Sequence, residues 1–148
     1  MSSHDCRVTG SITLKNGVTM VQVAEAFAPL CACFGRVFAE QEIELEGRTL
    51  HFSIDIWGNG GYTSPEMDEL SERLGPLVDG NGWFRLLDFD TGDTDAGETP
   101  YFVGIDAGAV EAARLRYGIE QMQPWVAPVI GQKQFEGLAA TILEMRNR

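Results

Sequence analysis

Two runs of alternating character joined by Gly47-Arg48 constrain this chain more than any other feature. Ile43 and Leu45 alternate with Glu42, Glu44 and Glu46, and Leu50, Phe52, Ile54 and Ile56 alternate with His51, Ser53 and Asp55. A strand sends successive side chains to opposite faces, so a period of two over this length predicts an antiparallel hairpin, apolar on one face and polar on the other. The apolar face needs a second layer to cover it.

The flanking sequence supplies candidates for that layer. Val8 to Leu14 reads as a strand closed by the turn Asn16-Gly17. Val23, Phe27, Leu30, Cys31 and Phe34 recur at helical spacing, with Pro29 expected to kink the helix and Gly35 to end it. After the loop Gly58-Asn59-Gly60-Gly61, Ser64-Pro65 is a helix start with Glu66 and Asp68 in its first turn. Met67, Leu70, Leu74 and Leu77 form its apolar stripe, and Gly75-Pro76 should disrupt its last turn. Trp83 to Phe89 and Tyr101 to Ile105 read as strands. Residues 109–122 stay open between helix and strand, because Ala, Glu, Arg and Leu favour the first while Arg114 and Arg116 alternate with Leu115 and Tyr117. Pro124, Pro128 and Gly131 mark a loop, and Phe135, Leu138, Ile142 and Met145 a C-terminal helix. The order predicts a single α+β domain over residues 1–148: a mainly antiparallel sheet of four to six strands with two or three helices packed on one face.

Charge is strongly segregated along the chain. The 148 residues carry 22 acidic and 11 basic side chains, a net charge of −11. Between Glu40 and Asp106 sixteen acids face three bases, Arg48, Arg73 and Arg85, whereas the remaining residues hold six acids and eight bases. A chain of this sign is not expected to bind phosphate backbones or anionic lipid. No apolar run reaches the ~20 residues of a membrane span, the N-terminus has no signal core, and three cysteines suit a reducing cytoplasm. If Glu40, Glu42, Glu44 and Glu46 share one strand, their carboxylates stand about 6–7 Å apart along one face. They either solubilise that face or form part of a nucleic-acid-like anionic surface. His51 should share the face, opposite or diagonal to Glu42 or Glu44, as a charge balance or a general base.

Other motifs are weaker. Asp90-Thr91-Gly92 matches the aspartic-protease signature, with Val129-Ile130-Gly131 as its hydrophobic partner element, but Asp93 crowds the position where a shared-proton dyad needs a small residue. A turn accounts for it. The acidic loop holding Asp88, Asp90, Asp93, Asp95 and Glu98 fails the EF-hand spacing, with Asp93 at the glycine position and Thr99 at the glutamate position. Cys31 and Cys33 point about 200° apart on a helix, so with His4 and Cys6 they make a poor zinc set. No metal, cofactor or catalytic residue is expected.

The leading expectation is a non-catalytic acidic inhibitor that occupies a basic, often nucleic-acid-binding, surface of a partner protein. Its partner-binding residues are Glu40, Glu42, Glu44, Glu46, Asp55, Asp88, Asp90, Asp93 and Asp95. In size and charge the chain resembles small anti-restriction, anti-CRISPR and toxin-immunity proteins. The alternatives are an immunity protein that neutralises a toxin, a carboxylate-dependent hydrolase using Asp88, Asp90 and Asp93, and an oligomer-forming protein using exposed aromatics and the C-terminal helix.

Overall fold

In a computed structural model of the chain, residues 4–35, 37–58, 64–88 and 97–147 are described. The elements are β1 (His4–Thr13), α1 (Met20–Phe34), β2 (Ile43–Glu46), β3 (Thr49–Gly58), α2 (Ser64–Leu74), β4 (Asn81–Asp88), β5 (Gly97–Gly104), α3 (Ala107–Ile130) and α4 (Gln132–Arg146). A 3-10 turn, Gly75–Leu77, ends α2 where Gly75-Pro76 breaks the α pattern. The five strands form one sheet in the order β2-β3-β1-β4-β5, each neighbouring pair antiparallel. Its first four strands and first two helices make two interlocked split β-α-β units.

The expected α+β architecture is present, with α1 and α2 on the apolar face. Val8 and Ile12 of β1, Leu50, Phe52 and Ile54 of β3, and Phe84 and Leu86 of β4 form one buried layer. Val23, Phe27 and Leu30 of α1 and Met67, Leu70 and Leu74 of α2 close over it. Phe52 sits between Phe27 and Phe84 at ring distances of 5.1 and 5.8 Å. The gap that admits these rings is Gly10, where a Cβ would lie 2.8 Å from both Phe52 and Phe84. The hairpin turns at Gly47, whose φ of +62° suits the first loop residue of a two-residue turn. Helix α1 runs through Pro29 and ends on Gly35 at φ +65°, the left-handed cap expected there.

The C-terminal third departs from expectation. Residues 109–122 are helical, and Pro124 and Pro128 lie inside α3 instead of bounding a loop. The carbonyls these prolines leave unbonded belong to Glu120 and Pro124, both exposed, so water can satisfy them. Helix α3 crosses the second face of the sheet over β4 and β5, opposite the face that α1 and α2 cover. Tyr117 packs edge-on against Trp83 and Phe102, each at 5.7 Å, while Arg114 and Arg116 lie over the Phe102 and Trp83 rings. Asp106 caps the helix by accepting from the Ala109 N–H at 2.8 Å. Beyond Gly131, whose φ is +93°, α4 folds back and packs against α3. No helix among the described residues is long and apolar enough to cross a membrane.

Candidate functional site

Because α3 covers only the β4–β5 side of the second face, the polar sides of β1, β3 and β2 stay open. The alternation that buries Val8, Ile12, Leu50 and Phe52 turns Arg7, Thr9, Ser11, His51, Ser53, Asp55 and Glu44 to this surface. With α3 as one wall, the surface becomes a cleft of about 660 Å³. Hydroxyl groups of Thr9, Ser11, Ser53 and Tyr117 and the amides of Gln41 and Gln121 line it. Glu44 enters from the edge strand β2 and Glu120 from α3; Trp83 and Arg85 belong to the β4 side.

A row of three polar residues crosses the cleft floor. His51 stands opposite Ser11 on β1 and opposite Glu44 on β2, and the Ser11 hydroxyl meets His51 Nδ1 at 3.1 Å. The composition is that of a nucleophile, a base and an acid. Both β1 and β3 are inner strands; β1 is paired with β3 along its whole length and with β4 from Cys6 to Gly10, which fixes the floor. The row offers a hydroxyl and an imidazole, each able to donate and accept, and one carboxylate.

At the α3 edge Arg85 bonds Glu98 at 2.9 Å, and Glu98 accepts a hydrogen bond from the Tyr117 hydroxyl. Partial burial pushes the Tyr117 pKa up, and the Glu98 charge and hydrogen bond push the same way against the opposing effect of Arg85. Asp55 is matched by Arg7 at 2.8 Å. The two arginines therefore balance Asp55 and Glu98. Glu44 and Glu120 have no ion pair among the described residues.

The expected anionic row is only partly assembled. Strand β2 begins at Ile43, so Glu40 and Glu42 lie in the preceding turn instead of extending the row. Glu42 folds back, its Oε1 accepting from the Ala39 N–H at 2.9 Å, a local bond that competes with continued strand. Glu44 and Glu46 remain on the open face, with Asp55 about 13 Å along β3 from His51. The backbone of Asp88 ends β4, while its side chain and all of Asp90, Asp93 and Asp95 lie outside the described residues, as do Asp90-Thr91-Gly92 and Asn59-Gly60-Gly61. Val129 and Ile130 end a helix, not a strand. No group of three metal-ligating side chains occurs among the described residues.

Reading the sequence did not find Ser11, Trp83, Arg85, Tyr117 or Glu120 as neighbours of His51. The spacing of Tyr117 and Glu120, three residues apart, places them on one helix face, but only once residues 109–122 are known to be helical. Compared with protein-family models, with curated proteins and with solved structures, the chain matches none.

Proposed function

We propose that this protein is a non-catalytic acidic binding module, an inhibitor whose cleft takes a cationic segment of a partner protein. The observation that carries this reading is the contrast between the carboxylates in the cleft and those near it: Asp55 and Glu98, outside the cleft lining, are matched by arginines, while Glu44 on β2 and Glu120 on α3 line the cleft without such partners among the described residues. Cationic side chains of a bound segment meet Glu44 on one side of the cleft and Glu120 on the other, and the hydroxyls of Ser11, Ser53 and Thr9 between them accept from further N–H groups. Basic groups that otherwise meet phosphate are the natural target, as in a nuclease or a toxin that acts on nucleic acid. The surrounding net charge of −11 steers such a partner in and makes association dependent on salt. The same reading places the protein in the cytoplasm, where its cysteines stay reduced.

The test is titration of a short arginine-rich peptide into the protein and into the Glu44→Lys/Glu120→Lys double variant. Saturable binding at low salt that weakens at least tenfold in the variant supports the reading. Equal affinity for both proteins overturns it, as does the absence of binding to either.

A further inference from the structure

The α3–α4 hairpin carries an apolar seam that neither the sheet nor the proposed partner site uses. On α3, Leu115, Gly118, Met122, Trp125 and Val129 recur at alternating steps of three and four, on the side of the helix away from the sheet-facing Ala113 and Tyr117. Leu115, Gly118 and Met122 line a trough of about 800 Å³ with Ile142 and Met145 of α4 across the groove, and Trp125 and Val129 continue the same face of α3 beyond it. The seam is open to solvent: Met145 at the trough is 62% exposed, and Trp125 and Val129 beyond it are 81% and 82% exposed. Trp125 alone leaves on the order of 200 Å² of ring surface in water.

We infer that a second copy of this chain covers the seam, the two hairpins closing into an antiparallel four-helix bundle about a two-fold axis. Charge selects the occupant. Residues 1–106 hold eighteen acids and six bases, so two copies repel one another at almost any other contact, whereas residues 107–148 hold four acids and five bases, a net +1. One end of the trough carries both signs, with Glu111 beside Arg114 and Arg146, whose guanidinium bonds the Gly108 carbonyl. A two-fold interface is self-complementary, so mixed charge on one patch lets the Glu111 of each copy face the other's arginines. A strongly basic partner finds no acidic excess here, and the arginines flanking the trough oppose it. The heptad-like step is itself the pattern by which helices pack on helices.

Sedimentation across a concentration series tests this with the full chain. The expected result is a monomer–dimer equilibrium that tightens as salt rises, because salt screens the repulsion between two −11 bodies. Trp125→Glu/Val129→Glu should weaken the dimer at least tenfold while circular dichroism stays that of the parent, since both side chains already face solvent. Val21→Glu, 68% exposed on α1, is the matched control and should leave association unchanged. A chain that stays monomeric at every concentration overturns the inference, and so does a dimer that survives the double variant.

Discussion

The body of the molecule, β1 to β5 with α1 and α2, and the α3–α4 hairpin solve the burial problem in opposite ways. The body closes its own core: among the described residues, nineteen buried apolar ones form one cluster between the sheet and two helices. The hairpin spans 24 and 15 helical residues yet buries only Ala113, Ala127 and Phe135. Isolated helices of such length are marginal, so α3 depends on what it touches: the sheet at Tyr117 and α4 beyond it. Charge divides along the same line, with the anionic excess on the body and a near-neutral hairpin. One region is a self-sufficient fold that displays carboxylates; the other is an apolar surface that is completed by contact. The two surfaces should therefore answer salt with opposite signs, partner binding weakening and self-association strengthening.

The largest contrast lies in stability. Phe84→Ala removes a fully buried ring from the centre of the body, and an unfolding titration should show a loss of about 3–5 kcal/mol. Trp125→Ser in the hairpin should change the unfolding free energy of the monomer by no more than about 0.5 kcal/mol, because the ring is already exposed. A comparable loss from both would erase the distinction between the two regions.

A smaller effect is expected where they join. Asp106→Ala removes the side chain that caps α3, and should cost about 1 kcal/mol. Hydrogen exchange should show faster exchange in the first turn of α3, with β1 and β3 unchanged. Spread of the change into the central strands would mean that hairpin and body unfold as one unit.

The smallest effect is a pH dependence at the same junction. Tyr117 has its pKa raised above 10.0, chiefly by burial and then by Glu98, so its protonated form is the one the fold favours. As pH rises past 10.0 the unfolded chain loses this proton before the folded chain does. The contribution is complete below that value and falls as pH climbs through the folded pKa. Stability measured on both sides of pH 10 should decline less in Tyr117→Phe than in the parent. Equal decline would remove Tyr117 as the source.

Much of the body is legible in its residues, and for one reason: period-two alternation and its turn signals are local. The runs around Gly47-Arg48 place β2, β3 and the polar face holding Glu44 and His51, and Gly35 and Ser64-Pro65 mark helix ends. Two kinds of information are not local. The pairing of Ser11 with His51 joins residues forty apart, and no pattern near either residue announces it. Helix α3 hides its period because Arg114 and Arg116 flank Leu115 as they would on a strand, while their guanidinium groups in fact lie over Phe102 and Trp83. The break of the glutamate row at Glu42 has a similar origin, a side chain bonding its own turn at Ala39 where alternation alone continues the strand.

The location of cation binding is tested most directly by amide and side-chain NMR shifts recorded while an arginine-rich peptide is added at low salt. The account predicts that the shifts concentrate on His51, Ser53, Trp83 and Gln121 around Glu44 and Glu120, and vanish in Glu44→Lys/Glu120→Lys. Shifts confined to the acidic stretch from Asp88 to Glu98, with the cleft residues unmoved, would contradict it.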